Sequence, residues 1–268
     1  MKAFDFEYNG KFLSDYGFTI CNFGNKGLET ISNGSKISFN TTPMFNGSKH
    51  LLTHSQYDEC LEANFSICKD SCQTLSGDVE PISLEEQSFI MRWLNRKSFK
   101  KFKLLQDGYE EIYFEGSFNI DKYELDGNVY GFNLNFISNR PFAIYEPLPY
   151  KFSLTSDNLT YSITDISDEI GHIYPKVKII CKSDGDLIIT NSIEENRTTV
   201  IKNCVENEVI EMEYPIIKTS VSTHKIQNDF NYNFFRIANT EDKIVNNITF
   251  SIPCDIEMVY SPIKKVGV

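Results

Sequence analysis

Residues 118–136 read FNIDKYELDGNVYGFNLNF, and large apolar side chains alternate with polar ones on both sides of a turn at 126–128. A period of two is typical of a strand that buries one face. The Asp126-Gly127 pair favours the tight turn of a two-residue hairpin. The stretch therefore predicts a β-hairpin, and the fold that contains it is expected to be mainly β.

The same alternation recurs on both sides of this hairpin. It begins at Phe4, where FDFEYNG runs into an Asn-Gly turn, and it returns at 61–67, where every second residue is apolar. Phenylalanine and tyrosine, with 21 and 14 copies, also favour strands. The first half is therefore expected to form a β-sandwich-like domain. Its further predicted strands lie at 18–22, 36–40, 99–105 and 111–114.

The segment Thr41–Cys60 lacks a strong period and is polar and rich in turn residues at its start. Twenty such residues inside a compact domain are unusual. We predict either a functional loop or a long hairpin arm that is ordered by contact with a neighbouring molecule.

The strongest helical signal lies at residues 81–97. Ser83, with Glu86 three residues later, is the pattern of a capping box at a helix N-terminus. We predict a helix over 83–97 that covers a sheet, with Trp93, the sole tryptophan, in the core rather than in a binding site. The apolar stripe at helical spacing consists of Leu84, Phe89, Ile90, Trp93 and Leu94.

A change of composition at Asn139–Tyr150 marks the predicted boundary between two domains. Three prolines fall close together there, and proline cannot donate to a β-ladder. We place an N-terminal domain at 1–145 and a C-terminal domain at 146–268. Turn signals predict roughly eight short strands in the second half, in a sandwich or jelly roll. The clearest lie at 177–181, 187–189, 210–214, 248–252 and 256–260.

The formal net charge of −11 argues against a nucleic-acid-binding role, since such proteins carry a basic face. The basic cluster Lys97–Lys103 is interpreted as a solvated stretch, with a docking patch for an acidic partner as the alternative. No apolar run approaches the ~20 residues that span a bilayer, and Met1–Asp5 lacks the apolar core of a secretory signal. The seven scattered cysteines are expected to be reduced thiols.

Histidine and cysteine spacings give no metal-site pattern. His50 and His54 would share one face of a helix, but the glutamate of a zinc-protease motif is missing between them. Cys60 nearby adds no ligand of diagnostic spacing. Cys68 and Cys72 lack the second pair that a structural zinc site requires. We interpret these side chains as polar loop histidines and unrelated thiols, and we expect no metal.

Motifs for catalysis are missing as well. The sequence has no Gly-x-Ser-x-Gly elbow, no phosphate-binding loop and no dinucleotide fingerprint. Adjacent carboxylates at Glu110-Glu111, Glu194-Glu195 and Glu241-Asp242 invite a glycosidase interpretation, but neighbours on a strand point to opposite faces. We therefore interpret them as solvated. No catalytic, cofactor-binding or metal-binding residue is predicted, and ligand-binding residues stay undetermined.

Three segments of the first half follow one another in a recognisable order: FEYNGKFLSDYGF at 6–18, the capped helix that ends on Trp93-Leu94, and FNLNFISNRPFA at 132–143. In this order they resemble the N-terminal domain of siphophage distal tail proteins, the Dit family. The second half resembles that family's C-terminal galectin-like β-sandwich. The matching segments are NFFRIAN at 233–239, NNITF at 246–250 and IEMVY at 256–260.

The resemblance implies a structural protein of the virion tail, and not an enzyme. Family members form rings, commonly hexameric, through their N-terminal domains around a channel for DNA. One ring face meets the tail tube protein, and the other meets the tail-associated lysin, fibre or receptor-binding protein. We therefore expect a distal tail hub, made in the bacterial cytoplasm, of an intact phage or a prophage-derived particle. No cofactor, membrane or specific nucleic acid is implied.

A second hypothesis is a carbohydrate-binding module that recognises host cell-wall glycans. Sugars stack on aromatic rings, and positions in the core or on strand faces are the competing interpretation of those rings. A galectin-like shape alone does not confer sugar binding. A third hypothesis, a wall-degrading glycosidase, rests on the acidic residues alone. The candidate sugar platforms are Tyr150, Tyr161, Tyr174, Tyr214 and Tyr232.

Overall fold

The chain divides into two compact units. One contains Met1–Ile144 together with Lys265–Val268, and the other contains Tyr145–Lys264. The last residues, which we predicted to be part of the C-terminal domain, thus belong to the first unit. The computed structural model describes residues 3–21, 37–43, 50–57, 60–70, 80–194 and 197–267.

The first unit is built mainly of strands, as predicted. Their bounds are β1 (Asp5–Tyr8), β2 (Lys11–Phe12), β3 (Phe18–Cys21), β4 (Ile37–Pro43), β5 (His50–Tyr57), β6 (Glu62–Lys69), β7 (Lys100–Leu105), β8 (Ile112–Leu125), β9 (Asn128–Ser138) and β10 (Ala143–Tyr145). One antiparallel sheet runs in the order β2-β1-β7-β8-β9-β6-β3, and β4 and β5 form a separate two-stranded sheet. A short 3₁₀ helix, Ser14–Tyr16, precedes β3.

The predicted hairpin at 118–136 is confirmed. Asp126 and Gly127 both have positive φ, 50° and 80°, as a two-residue type I′ turn requires. The strand before the turn differs from the prediction, because the segments predicted separately at 111–114 and from 118 onward form one strand of 14 residues. Gly116 does not end it, since it pairs with Ser138 of β9.

The main sheet of the first unit curls until its two ends meet. Ile20 of β3 donates its N–H to the carbonyl of Phe4, just before β1, across 3.5 Å. Buried aromatic rings fill the enclosed space, and the ring of Phe6 lies 5.6 Å from Phe65 and 5.5 Å from Phe102. One curled sheet therefore provides the sandwich-like arrangement of this domain.

The helix α1 spans Leu84–Leu94. The predicted capping box is confirmed: the N–H of Glu86 donates to Ser83 Oγ at 3.3 Å, and the N–H of Ser83 donates to Glu86 Oε2 at 2.7 Å. The predicted end at 97 was too late, because Asn95 is extended and its side-chain amide donates to the carbonyl of Phe118. No helix in the described part of the chain is long and apolar enough to cross a membrane.

The buried face of α1 differs from the predicted stripe at Leu84 and Gln87, and Phe89 is only half-buried. Trp93 and Leu94 are buried, which confirms the core role predicted for the tryptophan. Leu84, in contrast, is 79% exposed, and Gln87 is buried instead. Gln87 is tolerated there because its amide donates to the carbonyl of Ile82 at 2.9 Å.

The second unit has two larger sheets. Its strands are β11 (Leu148–Ser153), β12 (Thr160–Thr164), β13 (Gly171–Ile173), β14 (Lys176–Cys181), β15 (Gly185–Asn191), β16 (Thr198–Cys204), β17 (Val209–Glu213), β18 (Ile216–Thr219), β19 (Ile237–Asn239), β20 (Val245–Phe250), β21 (Cys254–Tyr260) and β22 (Ile263–Lys264), with a short helix α2 (Ile226–Asp229). One sheet has the order β11-β21-β14-β17-β18 and the other β12-β20-β15-β16, while β13 pairs with β19.

Residues from both large sheets share one core, which makes this unit a sandwich as predicted. Ile179 and Ile256 come from the five-stranded sheet, and Leu187 and Ile248 come from the four-stranded one. The structure has more strands than the roughly eight predicted, since short strands such as β13 and β18 carry too few alternating residues to be recognised. The likeness to galectins stays a prediction.

Candidate functional site

In the segment predicted as a loop or a hairpin arm, Thr41–Cys60, the described residues 41–43 and 50–57 belong to two paired strands. β4 and β5 pair antiparallel from Ile37, opposite Tyr57, to Pro43, opposite His50. The hairpin is separate from the main sheet, and its contact with a neighbouring molecule stays a prediction. We refer to strands β4 and β5 as the arm.

One face of the arm is apolar and exposed. Ile37 and Phe39 are 47% and 63% exposed, and their spacing of two residues places them on the same face. At the base of the arm, the ring of Tyr57 meets Phe142 edge-on, with centroids 4.7 Å apart. The arm is thus fixed to its own unit at one end and presents apolar side chains to the outside.

A second apolar surface lies along the edge of the main sheet. Phe4, Phe12 and Leu105 line a groove of about 410 Å³, and both phenylalanines are exposed. Glu7 and Lys103, which are paired across β1 and β7, also line it and add polar groups of opposite charge. We refer to this surface as the edge groove. Its mixture of apolar and charged side chains is typical of a surface that contacts another protein.

Of the five tyrosines proposed as sugar platforms, one lies in the sandwich core and a second packs against it. Tyr161 is buried, and its ring stacks on Phe152 with a centroid distance of 3.9 Å. Tyr150 packs against the same core and stacks beside Tyr260 at 5.9 Å. Tyr161 therefore offers no platform, and Tyr150 is partly covered by the core.

The other three tyrosines belong to one row of rings. Tyr174 stacks on Tyr214 at 4.3 Å, and Tyr214 meets Phe234 at 5.4 Å. Phe234 in turn contacts Phe230 at 4.9 Å, which lies 5.4 Å from Tyr232. Tyr214 and Tyr232 are 56% and 64% exposed. We refer to these five residues as the aromatic row.

Both halves of the chain match models of phage tail protein domains. Residues 1–140 match the phage tail protein N-terminal domain, and residues 142–260 match the phage tail C-terminal domain. The chain belongs to this family of phage tail proteins. A sequence comparison with curated proteins found no match.

The fold of the tail protein is similar to that of a solved phage tail protein. It is similar to the crystal structure of SPP1 Dit, described as a paradigm of the hub adsorption apparatus in phages that infect Gram-positive bacteria. The TM-score is 0.65 at 9% sequence identity, over 97% of this chain and 99% of that chain. The resemblance to distal tail proteins seen in the sequence is thus confirmed at the level of the fold.

Several histidines and cysteines of the tail protein were considered as metal ligands. His50 and His54 lie in strand β5 and not on a helix. Cys68 has Cys21 of the neighbouring strand beside it, and Cys72 lies outside the described residues. Among the residues that the structure describes, no group of three His, Cys, Asp or Glu side chains is arranged to hold a metal ion.

The adjacent carboxylates differ in their surroundings. The pairs at 110–111 and 241–242 are exposed, as predicted for solvated side chains. Glu194 is a correction: it is only 11% exposed, because the guanidinium groups of Arg197 and Arg236 hold it. It follows β15 in a turn and not on a strand, and its neighbour Glu195 lies outside the described residues.

Sequence reasoning missed both arginines of the tail protein that hold this carboxylate. Arg236 is the lone charge in the apolar segment NFFRIAN at 233–239. A charged side chain in a segment that folds into a core is almost always paired. This isolated arginine therefore indicated a buried partner of opposite charge. Arg197 gave no such signal, since it lies in a polar stretch.

Proposed function

We propose that the chain is a hub protein at the distal end of a phage tail, where it joins the tail tube to the tail tip and the host-adsorption apparatus. The role is structural and not enzymatic. The supporting observation is that its fold corresponds to SPP1 Dit over nearly the whole of both chains. The two consecutive matches to phage tail domains support the same role.

The N-terminal unit supplies what a ring subunit needs. In a head-to-tail ring, one surface of each subunit meets a different surface of the next. The arm and the edge groove are two different surfaces that both expose apolar side chains. We place the arm of one copy against the edge groove of the next, where Phe39 contacts Phe4 and Phe12.

The physical properties of the arm support this contact. A two-stranded hairpin alone is at best marginally stable in water, so an arm of this kind gains from a partner surface. Complete burial of a phenylalanine side chain contributes about 1.5–3 kcal/mol. Phe39, at 63% exposed, has most of this free energy still to gain.

The proposed assembly is a hexameric ring around a channel through which DNA passes. A net charge of −11 suits a channel subunit, because an acidic wall does not hold the DNA backbone. One ring face would bind the tail tube protein. The opposite face would bind the tail-associated lysin, fibre or receptor-binding protein.

The test is light scattering and negative-stain electron microscopy of the purified full-length chain over a range of concentrations. We expect rings at high concentration. The variant Phe39→Asp should require at least about tenfold more protein to assemble, which corresponds to a loss of about 1.4 kcal/mol. Phe99→Asp is the matched control, since Phe99 is 54% exposed and lies in neither surface.

Two results would count against the proposal at different levels. A chain that stays monomeric and also fails to bind its tail tube and tip proteins would contradict the hub role. Equal assembly by the wild type and Phe39→Asp would contradict the placement of the arm but leave the hub role intact.

A further inference from the structure

A polar cleft of about 620 Å³ lies in the second unit, between the paired strands β13 and β19 and the turn that follows β15. The side chains that line it include His172, Glu194, Arg197 and Arg236. The proposed hub role uses none of them. The volume lies within the range of pockets that bind small molecules.

Two guanidinium groups hold one carboxylate in this cleft. Arg236 donates through Nε and Nη2 to Glu194 Oε1, and Arg197 Nη1 lies 3.6 Å from Glu194 Oε2. The hydrogen bond with Glu194, above all, raises the pKa of Arg236, so this guanidinium stays charged. All three side chains are less than one quarter exposed. Two positive charges and one negative charge leave the group with a net charge of +1.

Buried asparagines fix the walls of the cleft. Asn191 donates to the carbonyl of Arg236 at 3.1 Å and accepts the N–H of Ile193 at 3.2 Å, so it links the two walls. Asn246 accepts the N–H of Ala238 and donates to its carbonyl, both at 2.9 Å. The two asparagine amides are joined at 2.7 Å. A buried network of this kind makes a site rigid and prepares it for a ligand.

The cleft adjoins the aromatic row through one of its lining residues, His172. His172 is exposed, and its ring meets Tyr174 edge-on at 5.3 Å. Interaction with Tyr174 also contributes to the raised pKa of Arg236. Partial desolvation, followed by the charge of Arg236, lowers the pKa of His172. Its imidazole is therefore neutral at pH 7 and offers one donor and one acceptor.

We propose that this cleft binds a pyranose ring of a saccharide. A pyranose has a hydroxyl edge, whose groups both donate and accept, and an apolar C–H face. Glu194 provides acceptor oxygens. Each guanidinium carries five N–H donors, more than Arg236 uses on Glu194 or Arg197 uses on Glu194 and on the carbonyl of Phe234. The exposed rings of Tyr214 and Tyr232 in the aromatic row provide a surface for the C–H face, as tyrosine rings do in binding sites.

Other ligand classes match the cleft less well. A phosphate or sulfate group would be repelled by Glu194, which already occupies the space between the guanidinium groups. An apolar ligand would remove water from charged side chains without replacing their hydrogen bonds. A hydroxyl-rich ring satisfies donors and acceptors together. This inference goes beyond the hub role and does not depend on ring assembly.

The test is saturation-transfer difference NMR on the purified full-length chain. The probes are D-galactose, N-acetyl-D-glucosamine and D-glucuronic acid, each added alone. We expect transfer to the ring protons of at least one of them, and we then measure its affinity by calorimetry. Glu194→Gln keeps the shape of the side chain but removes the charged acceptor, and we expect roughly tenfold weaker binding.

Glu257→Gln is the matched control, because Glu257 is also a carboxylate between two cations, with Lys151 at 2.8 Å and Lys178 at 3.9 Å. It lies on β21, outside the cleft, and the variant should bind like the wild type. His172→Ala is a second variant that removes an exposed side chain and should also weaken binding. The proposal is overturned if none of the three sugars binds, or if both cleft variants bind like the wild type.

Discussion

Trp93 Nε1 donates a hydrogen bond to the backbone carbonyl of Tyr8 across 3.0 Å. The indole is 2% exposed, and its ring stacks on Phe6 at 5.9 Å. A side chain of α1 thus satisfies a buried carbonyl at the end of β1, so the helix and the first strand are joined by a polar bond as well as by packing.

Trp93→Phe tests this bond. The phenyl ring keeps much of the packing but cannot donate, so this hydrogen bond to the carbonyl of Tyr8 is lost. We expect the lost hydrogen bond to lower the free energy of unfolding by about 0.5–1.5 kcal/mol. Urea unfolding followed by circular dichroism measures it, since the variant has no tryptophan fluorescence. Met91→Ala on the exposed side of α1 is the control, and an equal effect in both variants would argue against a special role for the indole.

Gly116→Ala tests the closest approach between β8 and β9. A Cβ atom at this position would lie 2.4 Å from the ring of Phe136 and 2.4 Å from the carbonyl oxygen of Ile137. Both belong to the neighbouring strand, so the strands have to separate. We expect a loss of stability of about 1–3 kcal/mol.

The measurement for Gly116→Ala is thermal or urea unfolding, with Asn119→Ala as the control. Asn119 is exposed on the same strand, and its replacement should change stability by no more than about 0.5 kcal/mol. If the Gly116→Ala variant unfolds like the wild type, β9 moves aside without a loss of stability.

The sequence revealed the features of this fold that depend on local residue pattern, such as the hairpin at 118–136 and the cap at Ser83. It did not reveal the burial of Gln87 in place of Leu84, because that depends on which side of α1 faces the sheet. The sequence also did not predict the contact between Glu194 and Arg236. Arg236 lies far along the chain, and only the pairing of strands from distant segments brings it to the turn after β15.

The capping box predicts a pH dependence of stability. Burial raises the pKa of Glu86, but hydrogen bonds from the backbone and hydroxyl of Ser83, and from Lys69, outweigh it and lower the pKa in the folded protein. A carboxyl with a lowered pKa in the folded state stabilises above its unfolded pKa, about 4.3. This contribution is lost as the pH falls through the folded value.

Glu86→Gln should therefore destabilise the protein at pH 7 by about 0.3–1 kcal/mol, with a smaller effect as the pH falls below about 4. Urea unfolding at a series of pH values gives the difference between the two proteins. Glu85→Gln is the control, since Glu85 also lies in the first turn but outside the capping box. A difference that is the same at all pH values would rule out the carboxylate as its source.

The buried thiols of the second unit predict a selective alkylation pattern. Burial raises the pKa of Cys254 to about 12, and its side chain is fully buried, so the reactive thiolate does not form at pH 8. Cys60 is exposed. Iodoacetamide followed by peptide mass spectrometry should label Cys60 at least about tenfold faster than Cys254 in the native protein, and both at similar rates in urea. Native labelling of Cys254 at the rate of Cys60 would mean that the sandwich opens readily, which its shared core argues against.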